Sequence, residues 1–231
     1  MKNATINKGV IKKIALALGD LNGQIIFVGG AVVGLYINDP AADDVRPTKD
    51  VDISLSIASL VELENIRVTL IDKGFIQTAE DTIICRFQYD DVKVDVMNTK
   101  ALGWASANPW FSSGFQNKLG IQIENQEIFI LPLPYYIASK FAAYSNRGNK
   151  EPRTSHDFED IVYVIDNRID FVEQILSASN DVKPFLKNEF AHILNDKVKQ
   201  EAIYGNLFYE TKDQRYAMII EKLKAIVSNP K

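Results

Sequence analysis

The sequence predicts an α+β fold, with a mixed sheet flanked by helices and then a helical C-terminal half. Strand-like apolar runs, bounded by Gly, Asn and Asp, are confined to the first 131 residues. Beyond them, apolar residues recur at helical spacing. The segment 131–134, Leu-Pro-Leu-Pro, separates the two patterns. We therefore expect one domain over residues 1–131 and a helical domain over residues 132–231.

Periodicity and turn residues predict the individual elements in chain order. In the first domain we expect helices at 7–21, 31–37 and 58–73, and strands at 25–28, 50–55, 82–88, 92–97, 121–124 and 127–131. Two hairpins are predicted, with turns at Tyr89-Asp90-Asp91 and at Asn125-Gln126. In the second domain we expect helices at 135–146, 155–166, 170–177, 182–194 and 213–227. Ser155 is the expected N-cap of the second of these.

Composition narrows the class of protein. The 231 residues carry a net charge of −4, which gives no bulk attraction for nucleic acid. A single cysteine, Cys85, excludes a disulfide framework and fits a reducing compartment. No apolar run approaches the length of about 20 residues that spans a membrane, and the N-terminal segment lacks a signal-peptide apolar region. We therefore expect a cytoplasmic protein with no membrane partner.

The segment 50–55, Asp-Val-Asp-Ile-Ser-Leu, carries the first functional signal. On a strand of period two, Asp50 and Asp52 point to one face and the aliphatic residues to the other. Two carboxylates on one face repel each other unless a cation lies between them, and oxygen ligands of this kind suit Mg²⁺ or Mn²⁺. A third acid, Asp95, points away from the valines of its strand. It joins the pair if the two strands are neighbours, and otherwise it belongs to a solvated strand face.

The apolar run 25–28 carries the second signal, because it ends abruptly in Gly29-Gly30 and feeds the helix-like run 31–37. Glycine lets a ligand approach the backbone closely, and a helix N-terminus favours anions. The segment 27–55 thus has Gly29-Gly30 near one end, suited to phosphates, and Asp50 and Asp52 near the other, suited to the metals that accompany phosphates. Together they indicate nucleotidyl transfer.

The helical half adds a local basic spot, comprising Lys140, Arg147, Lys150 and Arg153. Lys140 interrupts an apolar run, where a charge needs a reason, so it is a candidate for binding a triphosphate or an RNA backbone.

Two acids, Asp157 and Asp160, follow the basic spot at i and i+3 of a helix. They either steer Lys140 or Arg147, or are ordinary acids favoured by the helix N-terminus. Both interpretations remain open at this point. The aromatic segment 101–116 likewise has two interpretations, of which packing on the core is favoured over stacking a nucleobase. Its aromatic residues are Trp104, Trp110, Phe111 and Phe115.

In this order the motifs resemble the nucleotidyltransferase superfamily, and most closely its AbiEii/AbiGii toxin-type family. The resemblance covers roughly residues 20–170. It rests on Gly29-Gly30, Arg46-x-Thr48-x-Asp50-x-Asp52, Lys93-Val94-Asp95-Val96, Ala138-x-Lys140 through Arg147, and Ser155-His156-Asp157-Phe158-Glu159-Asp160-Ile161.

The resemblance implies a nucleotidyltransferase-type palm that moves an NMP group from an NTP to an acceptor hydroxyl and releases pyrophosphate. It places the site in the cleft between the two halves. Asp50, Asp52 and Asp95 would hold two Mg²⁺ (or Mn²⁺) ions, and Asp95 would also take the proton. The implied catalytic residues are Asp50, Asp52, Asp95 and Lys140. The implied nucleotide-binding residues are Gly29, Gly30, Thr48, Lys140 and Arg147, and Asp157 and Asp160 would orient Lys140 or Arg147 from behind.

The implied acceptor is RNA, specifically the 3′ end of tRNA, and the implied biology is that of a toxin neutralised by a cognate antitoxin protein. Nineteen residues separate Gly30 from Asp50, a long gap for the superfamily, and this leaves the acceptor open. One alternative is a small-molecule nucleotidyltransferase of the aminoglycoside-modifying kind. Another is a non-catalytic nucleotide-binding protein of the same fold.

Overall fold

The computed structural model describes residues 2–48, 50–77, 85–103, 106–146 and 151–229. Their contacts divide the chain into two compact units. The first unit comprises Met1–Gly34 and Asp44–Pro132, and the second comprises Leu35–Asp43 and Leu133–Lys231. In the described part of the chain, the predicted α+β class, a mixed sheet followed by a helical C-terminal half, is confirmed.

A mixed sheet forms the centre of the first unit. In the described ranges it has seven strands, which are β1 (Ile25–Val28), β2 (Asp50–Leu55), β3 (Arg86–Tyr89), β4 (Val92–Asn98), β5 (Ser106–Ala107), β6 (Leu119–Ile123) and β7 (Gln126–Ile130). They lie in the order β3-β4-β2-β1-β7-β6, and β5 pairs with β4. β2 is antiparallel to β1 and parallel to β4, so it lies inside the sheet with both edges hydrogen-bonded.

The two central strands bury one face in the core. Val51 and Ile53 of β2 are fully buried, as are Val94 and Val96 of β4. Successive side chains of a strand point to opposite faces. The acids that alternate with these aliphatic residues are therefore confined to the other face of the sheet.

In the residues that the structure describes, three α-helices accompany the sheet, namely α1 (Asn3–Leu18), α2 (Leu60–Asp72) and α3 (Phe111–Gln116). α1 begins four residues before the predicted start. The reason is that the Asp44 carboxylate accepts hydrogen bonds from the backbone N–H groups of Asn3 and Ala4, at 2.6 and 3.0 Å. These first-turn donors have no partner within the helix itself, so the carboxylate stabilises the added turn.

Side chains also cap α2. The Ser59 hydroxyl accepts from the Glu62 N–H at 3.2 Å, and the Glu62 carboxylate accepts from the Ala58 N–H at 2.9 Å. This reciprocal arrangement fixes the start of the helix just after β2.

The predicted helix at 31–37 is wrong. The chain forms turns there and a single 3₁₀ turn at Val33–Leu35. Seven residues are too few for a stable isolated helix, and Gly34 weakens helix formation further. Residues Leu35–Asp43 instead pack within the second unit, where Tyr36 stacks on Tyr136 with ring centroids 4.0 Å apart.

Both predicted hairpins are present. β3 and β4 pair antiparallel around Asp90, whose φ is +51°, and β6 pairs antiparallel with β7 around Glu124, whose φ is +54°. The second turn lies one residue earlier than predicted, because β7 already begins at Gln126. Residues 82–84 of the predicted strand 82–88 lie outside the described residues.

The second unit is helical. Its described α-helices are α4 (Leu133–Asn146), α5 (His156–Asn167), α6 (Phe171–Leu176), α7 (Lys183–Asn195), α8 (Lys197–Gly205) and α9 (Lys212–Ser228). As predicted, the Ser155 hydroxyl caps α5 by accepting from the Phe158 N–H. In the described ranges, no helix is both long and apolar enough to cross a membrane.

Candidate active site

A row of polar side chains crosses three strands of the sheet on one face. Asp52 of β2 is the register partner of Asp95 of β4, which is in turn the register partner of Arg86 of β3. Neighbouring strands lie about 4.8 Å apart, so the two acids start from adjacent positions. The structure thus brings together Asp52 and Asp95, as the sequence predicted if their strands were neighbours.

Asp50 lies on the same face, two residues before Asp52. It is exposed, and its register partner on β4 is the exposed residue Lys93. Asp50 therefore lies at the open end of the row, whereas Asp52 is half-buried.

The Asp95 carboxylate is held by Arg86. The Nε atom of Arg86 lies 2.6 Å from Oδ1 of Asp95, and Nη2 lies 2.7 Å from Oδ2. Two parallel charge-assisted hydrogen bonds form the strongest arginine–carboxylate geometry. Each side chain is 15% exposed, so the pair is largely shielded from solvent. Sequence reasoning missed Arg86.

The Asp52 carboxylate lies directly against Gly29, the residue that follows β1. An ideal Cβ added to Gly29 would be 1.7 Å from Oδ2 of Asp52, and the φ of Gly29 is +72°. Both the close approach and the positive φ require glycine. Gly30 follows, but the helix N-terminus that was expected beyond it is missing. A contact of Gly29 or Gly30 with phosphates stays a prediction.

The loop that leads into β2 is anchored by Asn7 of α1, which sequence reasoning also missed. Asn7 is buried, its amide donates to the Arg46 carbonyl at 3.2 Å, and its Oδ1 accepts from the Thr48 N–H at 3.3 Å. The Thr48 hydroxyl bonds the backbone of Asp50, donating to its carbonyl at 3.1 Å and accepting from its N–H at 3.3 Å. Thr48 therefore fixes the start of the acidic strand, and nucleotide binding by Thr48 stays a prediction.

Within the second unit, Lys140 forms a buried ion triad with two acids of α5. Its ammonium lies 3.1 Å from Oδ1 of Asp157 and 2.6 Å from Oδ2 of Asp160. Lys140 is 5% exposed, and both acids are buried as well. Of the two interpretations left open for Asp157 and Asp160, the structure shows the contact with Lys140. A contact of Lys140 with a phosphate stays a prediction.

The rest of the predicted basic spot is described only in part. Arg147 and Lys150 lie outside the described residues. Arg153 is paired with Glu151 at 3.0 Å and with Glu201 at 2.6 Å. Its charge is therefore already balanced by two carboxylates of its own unit. Of the aromatic segment 101–116, Trp104 lies outside the described residues.

The acidic face, which comprises Asp50, Asp52 and Asp95, fits a divalent ion only in part. No group of three or more His, Cys, Asp or Glu side chains in the described ranges is arranged to hold a metal ion. Asp95 is paired with Arg86, and Asp50 lies exposed at the start of β2. Mg²⁺ is commonly bound by one or two carboxylates together with substrate phosphates. Asp50 and Asp52 match that smaller requirement, and Asp95 does not while Arg86 holds it.

No protein-family model matches the sequence, and no curated protein matches it either. Among solved structures, the chain is similar to an antigenic nucleotidyltransferase-like protein from Paracoccidioides brasiliensis. The two share 17% sequence identity with a TM-score of 0.46, over 90% of this chain and 96% of that chain. The function is therefore inferred from the residues of the chain itself.

Proposed function

We propose that this chain transfers an NMP group from an NTP to an acceptor hydroxyl and releases pyrophosphate. One observation carries the proposal: Asp52 and Asp95 are register partners on one face of the sheet, with Asp50 on the same face. Asp95 already has Arg86 as a counter-ion, and the remaining carboxylates on this face offer oxygen ligands of the kind that a divalent cation prefers. A nucleoside triphosphate with its accompanying Mg²⁺ supplies such a cation.

In this proposal Asp50 and Asp52 hold Mg²⁺ or Mn²⁺ that arrives with the nucleotide. When bound, such an ion lowers the pKa of an acceptor hydroxyl and neutralises the leaving pyrophosphate. The chain's own contribution is positioning. Thr48 orders the backbone of Asp50, and Gly29 leaves room for the Asp52 carboxylate.

The proposed acceptor is the 3′ end of tRNA, and the proposed role is that of a toxin with a cognate antitoxin. Both follow from the resemblance of the sequence motifs to the AbiEii/AbiGii family. The aminoglycoside-modifying alternative uses the same acidic face with a cationic small-molecule acceptor. The non-catalytic alternative keeps nucleotide binding and lacks transfer.

The test is to incubate the protein with each α-phosphate-labelled NTP, Mg²⁺ and either total tRNA or an aminoglycoside panel. Wild type is compared with Asp52→Asn and with the matched control Asp72→Asn, which changes an exposed acid at the end of α2. We expect label on tRNA, lost in Asp52→Asn and kept in Asp72→Asn.

The other outcomes separate the alternatives. Label on the antibiotics alone supports the small-molecule enzyme. Nucleotide binding that depends on Asp52 without any labelled product supports the non-catalytic protein. Absence of nucleotide binding in the wild type refutes the proposal in all its forms.

A further inference from the structure

A cavity of about 530 Å³ lies within the first unit, at the opposite end of β2 from the start of the acidic face. Leu55, the last residue of β2, lines the cavity, whereas Asp50 is the first residue of that strand. The rise of an extended chain from the one residue to the other is about 17 Å, so the cavity is separate from the acidic face. The proposed function assigns no role to it.

The cavity has an apolar wall. Leu55 and Ile57 are buried, and Ile66 of α2 and Phe115 of α3 are half-buried. Three aliphatic side chains and one aromatic ring favour a ligand with an apolar part, because contact with this wall removes the apolar surface of the ligand from water.

Lys118 gives the cavity a positive charge. Its ammonium donates to the Gly23 carbonyl at 2.6 Å and lies 4.1 Å from the centre of the Phe129 ring. Among the described residues it forms no ion pair with a carboxylate within 4.0 Å. Partial burial lowers the pKa of Lys118, and the charge of Glu127 acts in the opposite direction. An anionic group of a ligand therefore stabilises this ammonium.

Glu62 gives the same cavity a negative charge. Its Oε2 accepts from the Ala58 N–H at 2.9 Å, and its other carboxylate oxygen accepts no hydrogen bond from the described residues. Glu62 and Lys118 do not pair with each other within 4.0 Å, so two opposite charges line one cavity without neutralising each other. The side-chain amides of Gln24 and Asn65 also line it and can hydrogen-bond a charged ligand group.

We propose that this cavity binds a free α-amino acid with a bulky apolar side chain, its carboxylate against Lys118 and its ammonium against Glu62. Such a zwitterion matches both charges of the cavity, and its side chain covers the apolar wall. A nucleotide matches less well, because its phosphate carries more negative charge than one lysine balances, and Glu62 repels it. This inference goes beyond the proposed function and does not rest on it.

The experiment measures the binding of L-phenylalanine and L-leucine to the full chain by calorimetry and by ligand-observed nuclear magnetic resonance. Three comparison ligands each lack one feature of L-phenylalanine. Glycine lacks the side chain, N-acetyl-L-phenylalanine lacks the ammonium, and L-phenylalaninamide lacks the carboxylate. Each should bind at least about tenfold more weakly than L-phenylalanine. AMP is the probe for a nucleotide.

Two variants connect each charge of the ligand to one residue. Lys118→Gln should weaken L-phenylalanine binding about tenfold and leave the affinity for L-phenylalaninamide unchanged, because that ligand has no carboxylate. Glu62→Gln should weaken L-phenylalanine binding about as much and leave the affinity for N-acetyl-L-phenylalanine unchanged, and glutamine can still accept from the Ala58 N–H. Lys8→Gln, which changes an exposed lysine of α1, is the control and should bind as wild type does.

The proposal is overturned if wild type binds neither L-phenylalanine nor L-leucine saturably, or if it binds AMP at Lys118 and no amino acid. It is also overturned if Lys118→Gln and Glu62→Gln are folded and bind L-phenylalanine as wild type does. If either variant fails to fold, the wild-type affinities decide the question, because equal affinity for all three phenylalanine compounds refutes the assigned charges.

Failure of the proposed function looks different from failure of this inference. Asp52→Asn should lose label transfer and bind L-phenylalanine as wild type does, because the two sites are separate. A wild-type protein that binds L-phenylalanine but neither binds nor transfers nucleotides refutes the proposed function and supports this inference.

Discussion

Removal of the Lys140 charge should destabilise the second unit strongly. Lys140→Met keeps an unbranched apolar side chain but leaves Asp157 and Asp160 without the ammonium that lies 3.1 and 2.6 Å from them. The side chains of these acids are only 4% and 2% exposed, so water cannot replace the lost partner. Breaking a buried ion pair from one side costs about 3–5 kcal/mol, a large part of the total stability of a typical domain.

The measurement is urea unfolding followed by far-ultraviolet circular dichroism. Lys224→Met, which changes an exposed lysine inside α9 of the same unit, is the matched control and should stay within about 0.5 kcal/mol of wild type. The triple variant Lys140→Met/Asp157→Asn/Asp160→Asn should recover most of the loss, because it removes all three buried charges together. A Lys140→Met protein within about 1 kcal/mol of wild type would refute the reasoning, as would a triple variant no more stable than the single one.

Two further predictions concern the first unit. Gly29→Ala should lower the free energy of unfolding in urea by at least about 1–2 kcal/mol, because the added side chain is forced into a positive φ and against the Asp52 carboxylate. Gly9→Ala, in an exposed turn of α1, is the control and should raise the free energy of unfolding by about 0.5–1 kcal/mol. Equal stability of the two variants would contradict this prediction. Burial alone would raise the pKa of Asp44, but its amide hydrogen bonds at the start of α1 lower that pKa below the usual 3.8. The cap therefore stabilises the fold above about pH 4, and this stabilisation is lost as the pH falls through the lowered pKa. Asp44→Ala should lower the free energy of unfolding by about 0.5–2 kcal/mol at pH 7 and should have no effect in strong acid. An effect of Asp44→Ala that does not change with pH would contradict this prediction.

Much of the acidic face could be predicted from the sequence because strand periodicity is local. The alternation in 50–55 is enough to put Asp50 and Asp52 on one face, and the valines of β4 do the same for Asp95. Arg86 could also have been predicted. A turn centred on Asp90-Asp91 pairs residue 89 with 92, and counting outward pairs 86 with 95. The signal was present in the hairpin register, and sequence reasoning did not use it.

The remaining features depend on contacts that no local pattern reports. The run 31–37 has helix-like composition, but it is short, and part of it packs within the second unit. α8 was missed although Asp196 marks its start, accepting from the Val198 and Lys199 N–H groups at 2.9 and 3.3 Å. Lys140 was correctly singled out as a charge that needs a reason. The reason that the structure supplies, two buried acids 17 and 20 residues further on, is tertiary.

The contact between Gly29 and Asp52 weakens one of the two sequence signals for nucleotide binding, the glycine pair, relative to the other, the acids. The glycine pair suggested a phosphate-binding backbone, but the space beside Gly29 is already taken by the Asp52 carboxylate, and that close approach alone explains why a glycine is needed there. The glycines therefore give no independent support for a bound phosphate. Among the acids of the row, Asp95 has Arg86 as a counter-ion, and Asp50 lies exposed at the start of β2. Carboxylate oxygens suit a divalent ion, so the affinity for Mg²⁺ tests the proposed function more directly than the affinity for a phosphate does.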